Sequence, residues 1–326
     1  MTILLDIFGL LFLLLAARIA FCASLVHSIL LLAISSVIIC ICYLLMDAPD
    51  VAMTEAALGA CLSTVILLSI TKYIPDNIGG ASKSVWGVII CGIFAGIMLY
   101  VGTEFYSYGI PDTPIHSHLS KYFIDNTKTQ IGIPSFVAAI LASYRGYDTL
   151  GETAVILIAA LGVYFIFTKT QDENLDHCYT IPLQTNLILK SVTKLILPYI
   201  LFFALYIQLY GETSPGGGFQ AGSIFASALI ARSFFREVSN TQVYLVGAVT
   251  GVVIYASIGV LSMIMGGTFL DYSIFTTKPL MGQKIGIFAI EMGVGITVSS
   301  SMLLIYSMFT DGRPPPERTR VLDSEI

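Results

Sequence analysis

Acidic residues stand at the entrance of several apolar stretches of this sequence, where few side chains carry charge. Asp50 and Glu55 open the stretch MDAPDVAMTEAALGACLSTVILLSI, Asp148 and Glu152 open YRGYDTLGETAVILIAALG, and Glu291 lies in IGIFAIEMGVGITVSSSMLLIYSMF. A charged side chain at the middle of a membrane helix costs on the order of 2.5–3.5 kcal/mol on insertion scales, so such residues are functional by default. Carboxylate oxygens are the ligands that hard cations prefer. The pattern therefore predicts a path that exchanges protons and a cation.

Each acid also has a purely structural interpretation. Glu55 shares a helical face with small residues, so it could be a protonated side chain that hydrogen-bonds to a neighbouring helix. Thr149 and Glu152 fit a capping box, in which both side chains satisfy the first N–H groups of a helix. Arg145 can pair with Asp148 and lower the cost of both charges. Transport and packing remain alternatives for these acids.

A glycine-rich motif, YGETSPGGGFQAGSI, separates two of the apolar stretches. Its central residues are Pro215, Gly216, Gly217, Gly218 and Phe219. Glycines leave the backbone free to adopt conformations that other residues avoid and allow another group to approach closely. One interpretation is an ordinary loop. The alternative is a loop that dips toward the membrane and lines a polar cavity with its main chain, as broken helices do in transporters.

The composition requires a membrane protein around these motifs. Apolar residues make up 56% of the chain and charged residues 11%, and the mean hydropathy is +0.85. About nine windows are long enough to cross a hydrocarbon layer of roughly 30 Å. They lie near 2–20, 22–45, 51–70, 85–102, 150–168, 190–209, 219–235, 243–265 and 285–309. The net charge of −5 excludes a basic nucleic-acid-binding surface. We predict an all-α, polytopic integral membrane protein.

Polar stretches divide the predicted helices into modules. Residues 1–74 hold three helices, 75–180 hold two helices with a long outer loop, 181–310 hold four, and 311–326 form a disordered cytoplasmic tail. Within the outer loop, PSFVAAILASYR is too short to span a membrane. It predicts an interfacial helix whose apolar face carries Phe136, Val137, Ile140, Leu141 and Tyr144.

The distribution of Lys and Arg predicts the orientation. Eleven of the sixteen fall in one set of alternating loops and five in the other. The positive-inside rule then places the N-terminus outside and the C-terminus in the cytoplasm. The first helix lacks a basic leader and carries Asp6, so we expect it to be retained. The expected location is the cell (inner) membrane.

Three motifs resemble one known family, the Mrp-type multisubunit Na⁺/H⁺ antiporters, whose modules also occur in membrane-bound hydrogenase complexes. DAPDVAMTEAALGACLST and YRGYDTLGETAVILIAALGVY are similar to the two modules at the C-terminal end of the large A subunit. GETSPGGGFQAGSI is similar to the hallmark of the B subunit. Together these blocks cover most of the chain. The protein therefore resembles a fusion of the A-subunit tail with the B subunit.

The resemblance implies a transporter subunit, not an enzyme. It implies that Glu55, Asp148, Glu152 and the loop from Pro215 to Phe219 belong to a module that conducts Na⁺, bound only transiently, with no cofactor. Expected partners are the antiporter-like A and D subunits, the small C, E, F and G subunits, Na⁺, H⁺ and the bilayer. Two departures are visible: the long antiporter-like domain is absent, and Glu291 stands where the family leads us to expect Asp.

Three alternatives to this function stay open at the level of the sequence. The chain could be a purely structural subunit whose acids are protonated packing groups. It could be a Na⁺-translocating or structural membrane subunit of a hydrogenase-like redox complex. It could also transport ions without partners, although the missing antiporter-like domain argues against that.

Overall fold

The computed structural model describes residues 2–71, 74, 85–106, 109–110, 113–169, 187–233 and 241–311, and it contains no β-strand in these ranges. The predicted all-α membrane architecture is confirmed. The main helices are α1 (Thr2–Ala20), α2 (Leu25–Leu45), α3 (Pro49–Ile70), α4 (Val85–Thr103), α5 (Lys121–Gln130), α6 (Phe136–Ala139), α7 (Gly146–Lys169), α8 (Leu187–Tyr210), α9 (Gly218–Ser233), α10 (Thr241–Ile264) and α11 (Pro279–Asp311).

Eight of these helices are long and apolar enough to cross a membrane within the described part of the chain. The predicted window 219–235 forms α9, which has only 16 residues and is not among these eight. At 1.5 Å per residue it is about 24 Å long, shorter than a hydrocarbon layer of roughly 30 Å. Because α9 begins at the end of the glycine-rich loop, the missing length is taken up by irregular backbone.

Helix α11 is the centre of the fold. It has 33 residues, and 61% of its most apolar window is buried. It packs against α7, α9 and α10, and against the last section of α3. Small residues permit these approaches: a methyl group added at Gly251 of α10 would collide with the Gly293 carbonyl and the Thr297 hydroxyl of α11. Much of the core therefore depends on short side chains.

Helix α3 is not the regular α-helix that we predicted over 51–70. A π-helical section, Glu55–Leu62, lies between the α-helical sections Pro49–Thr54 and Ser63–Ile70. A π section leaves carbonyl groups without their usual i+4 N–H partners. Ser63 Oγ donates to the Gly59 carbonyl at 2.7 Å, and Thr64 Oγ1 donates to the Ala60 carbonyl at 3.1 Å. These hydroxyls make the irregular backbone tolerable inside a membrane.

The short helix α6 continues as a π-helical section, Ile140–Tyr144. On the predicted apolar face, Phe136 and Leu141 are exposed, as the lipid-facing side of an interfacial helix would be, whereas Ala139 and Ala142 on the other side are fully buried. The buried side packs against α11 and the core cluster that contains Tyr255 and Tyr272. Alanines lie inward because only small side chains fit between these closely packed helices.

The helices at the edges of the fold make few contacts. In the described residues α1 packs against α2, and every residue of α4 is exposed. Helix α2 packs along α3, which in turn contacts α9 and α11 and so joins the first block to the third. The module boundaries predicted near residues 75 and 181 and the tail after residue 311 lie outside the described residues.

Candidate functional site

A single cavity collects several of the acids that the sequence predicts. It has a volume of about 560 Å³ and lies between α3, α6, α7, α9 and α11. Asp50, Glu152 and Glu291 line it from three different helices, together with Gly216 and Gly217 of the glycine-rich loop. No basic side chain is among the described residues that line this cavity. The arrangement produces a negatively charged, partly apolar space.

The glycine-rich loop holds two of these carboxylates with its backbone. The Gly216 N–H donates to Asp50 Oδ1 at 3.0 Å, and the Gly218 N–H donates to Glu291 Oε2. Gly216 and Gly217 have φ angles of 156° and 140°, a region that is essentially restricted to glycine. The loop therefore connects α3 to α11 through its own amides, and other residues would strain this backbone.

Helix α9 contributes a favourable electrostatic field to the same place. Gly218 is the first residue of α9, and the N-terminus of a helix carries a partial positive charge that stabilises nearby anions. Glu291 accepts a hydrogen bond at this end. The Gly218 N–H and the start of α9 thus offset part of the cost of a negative charge on the buried Glu291 carboxyl.

Close packing between α9 and α11 explains why the loop ends in a run of small residues. A methyl group at Gly218 would collide with the Glu291 carbonyl, and at Gly222 it would be 2.7 Å from the Gly295 carbonyl. Ser299, one turn beyond Gly295, is buried. Glu291 and Gly295, four residues apart on α11, therefore lie in the contact with α9.

The two acids of α7 have different surroundings. Glu152 faces the cavity, whereas Asp148 forms an exposed ion pair with Arg145, as predicted. The capping-box alternative is wrong, because α7 begins at Gly146 and Thr149 lies inside it. Thr149 Oγ1 donates instead to the Leu141 carbonyl at 2.8 Å, which satisfies a carbonyl at the end of the preceding helix.

Two buried tyrosines fix the position of this helix. Tyr255 OH donates to the Gly146 carbonyl at 2.7 Å, and Tyr272 OH donates to the Ala142 carbonyl at 3.0 Å. Both side chains are completely buried. They satisfy backbone groups at the break between α6 and α7. They also hold the start of α7, with Glu152 about two turns further on, against α10 and against the segment that connects α10 to α11. Sequence reasoning did not identify them.

Glu55 does not line the cavity. Its carboxyl lies on the other side of α3, where a methyl group at Gly59 would collide with it and with the Ser36 hydroxyl of α2. The adjacent Cys40 thiol of α2 donates to the Ala52 carbonyl at 3.1 Å. Glu55 therefore belongs to the α2–α3 contact, and the structure separates it from the other candidate acids.

A further acid, Glu212, lies near Glu291 outside the lining of the cavity. Its backbone carbonyl accepts a hydrogen bond from the Ser135 N–H at 3.2 Å. Partial burial raises the pKa of the Glu212 carboxyl, and the nearby Lys284 ammonium acts in the opposite direction. Glu212 also lies near enough to Glu291 for their negative charges to repel each other.

Two polar residues that line the cavity, Thr54 and Gln220, were not predicted from the sequence. Thr54 lies one turn after Asp50 and lines the cavity beside it, and Gln220 lies in the first turn of α9. The i, i+4 spacing of Asp50 and Thr54 was a usable signal. The described residues contain no group of three or more His, Cys, Asp or Glu side chains that could hold a metal ion together. The carboxylates of the cavity therefore line its walls without forming a preassembled metal site in the described residues.

Three family models match successive segments that together span most of the chain. Residues 10–76 match MbhD, described as the D subunit of MBH; residues 89–175 match MbhE, described as the E subunit of MBH; and residues 188–304 match a domain related to the MnhB subunit of the Na⁺/H⁺ antiporter. These matches confirm the resemblance that the sequence motifs indicated.

Relatives and solved structures agree with these matches. The A/B subunit of a probable K⁺/H⁺ antiporter of Rhizobium meliloti is 22% identical over 83% of this chain, which spans 31% of that protein. The Mrp complex of Dietzia sp. DQ12-45-1b contains a chain that is similar in fold, with a TM-score of 0.68 and 21% identity over 91% of this chain and 34% of that one. The membrane-bound sulfane sulfur reductase, an archaeal respiratory complex, has a TM-score of 0.53 and 23% identity, over 67% of this chain and 94% of its own.

Proposed function

We propose that this chain, whose successive segments match the MbhD, MbhE and MnhB-related families, is a membrane subunit of a multisubunit monovalent cation/proton antiporter. Its carboxylate cavity provides part of the path for the cation, which we take to be Na⁺. The chain is a transporter subunit, not an enzyme. It works with partner subunits, including antiporter-like A and D proteins and small C, E, F and G proteins, which move the protons.

One observation carries this proposal. Asp50, Glu152 and Glu291 come from separate helices, yet all three line one cavity whose described walls carry no basic side chain. Three uncompensated carboxylates inside a membrane protein are unfavourable unless protons or cations neutralise them. A space of about 560 Å³ is far larger than the ~30 Å³ share of one water molecule. It therefore has room for a cation that keeps part of its hydration shell.

The loop amides give the carboxylates their mechanistic role. One oxygen of Asp50 and one of Glu291 accept backbone hydrogen bonds, so the second oxygen of each remains available to a cation. Glu152 lines the same cavity from α7, and no hydrogen bond joins it to the described residues of the loop. We propose that it is the group that exchanges its proton for Na⁺, while the other two stay ionised. Glu55 and Asp148 would then attract cations toward the site and not bind them within it.

The orientation of the chain sets the direction from which the cation enters. With the N-terminus outside and the C-terminus in the cytoplasm, the cavity lies in the outer half of the cell membrane. The other end of the same helices is closed by a buried apolar cluster of Leu62, Ala226, Ile230, Leu303 and Tyr306. We propose that partner subunits complete the path past this cluster.

Proton movement supplies the energy in this scheme. Each proton that moves inward down a potential of about 100 mV releases roughly 2.3 kcal/mol. That energy can expel Na⁺ if more than one proton moves per cation. This chain would contribute the cation site, and the coupling would lie in the complete complex.

The test uses the complex that copurifies with this chain, reconstituted in vesicles. Glu291→Gln removes the charge but keeps the size of the side chain, and we expect Na⁺-dependent proton movement to fall about tenfold or more, since an interaction with a charged group is worth roughly 1.5–3 kcal/mol. Glu104→Gln, at the exposed end of α4, is the matched control. A normal rate in the Glu291 variant with unchanged assembly would leave only a structural role.

A second candidate function has its own support. The MbhD and MbhE matches and the likeness to one chain of an archaeal respiratory complex favour a redox-linked version of the same cation module. The two candidates differ in their partners. Iron–sulfur proteins that copurify with this chain, detected by visible absorbance and iron analysis, would favour the redox complex, whereas their absence from an active preparation favours the antiporter.

A further inference from the structure

Two glutamines among the described residues are almost completely buried, and they differ in their hydrogen bonds. Gln283, near the start of α11, is 8% exposed, and its Oε1 accepts a hydrogen bond from Ser143 Oγ at 3.0 Å. Gln220, in the first turn of α9, is 9% exposed. The Ser223 hydroxyl donates to the backbone carbonyl of Gln220 at 2.8 Å, and no hydrogen bond joins the Gln220 carboxamide to the described part of the chain. Gln220 is thus the buried glutamine whose side chain lacks a partner there.

The location of Gln220 limits what that partner can be. An amide that leaves water without gaining a hydrogen bond destabilises the folded protein. Buried polar side chains therefore have a partner in almost all cases, whether protein, ordered water or an ion. Gln220 lines the carboxylate cavity, so the group that satisfies its carboxamide has to occupy that space. The choice is between water and a cation.

A gap beside Gly217 brings the Gln220 side chain close to a carboxylate. A methyl group placed on Gly217 would lie 3.1 Å from Glu291 Oε2 and 3.3 Å from Gln220 Oε1. All three residues line the cavity. The absence of a side chain at Gly217 therefore leaves a small space that is bordered by one oxygen from α9 and one from α11.

The two oxygens are of the types that bind hard cations. Asn and Gln carbonyl oxygens bind such ions alongside carboxylates. Glu291 Oε2 accepts the Gly218 N–H, but a carboxylate has about four lone-pair sites and can contact a cation at the same time. A cation in the gap would also neutralise the Glu291 carboxylate, which a water molecule does not do. The geometry therefore favours the cation.

We propose that Gln220 Oε1 is a neutral ligand of the transported cation, which it binds together with Glu291 in the gap beside Gly217. This inference rests on the proposed function, because it names a ligand within the same cavity. Gln220 contributes an oxygen to the ion without adding a fourth negative charge to the cavity. Its side chain has no partner in the described chain because its partner is the ion.

The first measurement is the Na⁺ dependence of proton movement by the reconstituted complex. Gln220→Leu removes the oxygen, and we expect the Na⁺ concentration for half-maximal rate to rise about tenfold or more, as for the loss of a bond to a charged group. Gln220→Glu keeps an oxygen at the same distance from the backbone, so this concentration should stay within about threefold of the original value or fall. Gln283→Leu, the equally buried control outside the lining of the cavity, should change it about twofold or less.

Thermal unfolding of the same complexes separates a cation ligand from a packing residue. In choline, Gln220→Leu should unfold at the original temperature or above it, because it loses no hydrogen bond and gains an apolar side chain. Gln283→Leu leaves Ser143 Oγ without its partner and should unfold about 2–4 °C lower. Na⁺ at equal ionic strength should raise the unfolding temperature of the unaltered chain and of Gln283→Leu, but not that of Gln220→Leu, because a bound ligand stabilises the native state.

The outcomes for the two proposals are distinct. An unchanged Na⁺ dependence in Gln220→Leu, alongside a clear defect in Glu291→Gln, shows that Gln220 binds only water, and it leaves the proposed function intact. A defect in Gln220→Glu as large as that in Gln220→Leu also overturns the inference, because the amide N–H and not Oε1 is then required. Lower stability of Gln220→Leu in choline overturns it too, since it assigns Gln220 a packing role. Normal activity in Glu291→Gln overturns the proposed function and this inference together.

Discussion

Two helices of this chain open with a pair of acids, and the structure uses the two pairs in opposite ways. In α3 the entrance residue Asp50 faces the cavity, and the inner residue Glu55 turns toward α2. In α7 the inner residue Glu152 faces the cavity, and the entrance residue Asp148 pairs with Arg145 outside it. Each helix therefore contributes one carboxylate to the site and keeps one away from it.

The spacing of each pair accounts for part of this difference. Asp50 and Glu55 are five residues apart, about 140° around an α-helix, so they cannot share a face. Asp148 and Glu152 are four residues apart, about 40° around, and would share one. Arg145 holds Asp148 at the surface and so separates that pair. Similar motifs can thus have different roles according to one residue of spacing and one neighbouring charge.

The largest expected effect distinguishes the two acids of α7. Glu152→Gln should reduce Na⁺-dependent proton movement about tenfold or more, because it removes the charge from the cavity wall. Asp148→Asn should change it less than about threefold, since an exposed ion pair is worth only about 0–1 kcal/mol. The measurement is the transport rate of the reconstituted complex at saturating Na⁺. Equal defects would show that the entrance acid belongs to the site.

The next largest difference is expected in the stability of two glycine variants, one on each helix. Gly59→Ala in α3 places a methyl group against the Glu55 carboxyl and the Ser36 hydroxyl, and we expect it to destabilise the chain by about 1–3 kcal/mol. Gly151→Ala in α7 meets no atom within 4 Å and should be neutral or stabilising by up to about 1 kcal/mol. Thermal unfolding of the two variants in the same detergent tests this order. If Gly59→Ala leaves the stability unchanged, α2 and α3 do not pack as described.

A smaller difference should separate the two acids of α3. Asp50→Asn weakens the hydrogen bond from the Gly216 N–H and removes a cavity charge, so the Na⁺ concentration for half-maximal rate should rise about five- to tenfold. Glu55→Gln should change it about twofold or less, because the Glu55 carboxyl lies on the far side of α3. Titration of the rate with Na⁺ measures both. The reverse order would place the cation path between α2 and α3.

The smallest effect concerns the ion pair at the entrance of α7. Arg145→Gln breaks an exposed pair, and we expect the stability to fall by less than about 1 kcal/mol and the Na⁺ dependence to stay within about twofold. High salt should abolish even that difference. Thermal unfolding in low and high salt is the measurement. A large loss of activity would mean that releasing Asp148 lets it compete with Glu152 for the cation.

The sequence predicted the helical architecture and the candidate acids because hydrophobic length and isolated charge are local signals. Helix α11 and the Arg145–Asp148 pair are examples. The π-helical section at Glu55–Leu62 escaped prediction, since nothing in residue periodicity separates i+4 from i+5 bonding. The spacing separates Asp50 from Glu55, but which of the two faces the cavity depends on the contact of Asp50 with Gly216, which is 166 positions away in the sequence.

Helix α6 shows a similar limit. Periodicity predicted an apolar face with Phe136 and Leu141, and both side chains are exposed, as they would be on the lipid-facing side of an interfacial helix. It did not predict that Ala139 and Ala142, on the other side, belong to the core cluster. Inside a membrane protein, the size of a side chain decides which face is buried more often than its hydrophobicity does, because lipid is itself apolar.

The most direct test of the carboxylate cavity is the labelling of its acids by a hydrophobic carbodiimide in the assembled complex, with each site quantified by mass spectrometry. We predict that Na⁺, compared with choline at equal ionic strength, lowers the labelling of Glu152 severalfold and leaves that of Glu55 unchanged. Protection of Glu55 by Na⁺, with Glu152 labelled equally in both salts, would contradict a cation site in this cavity.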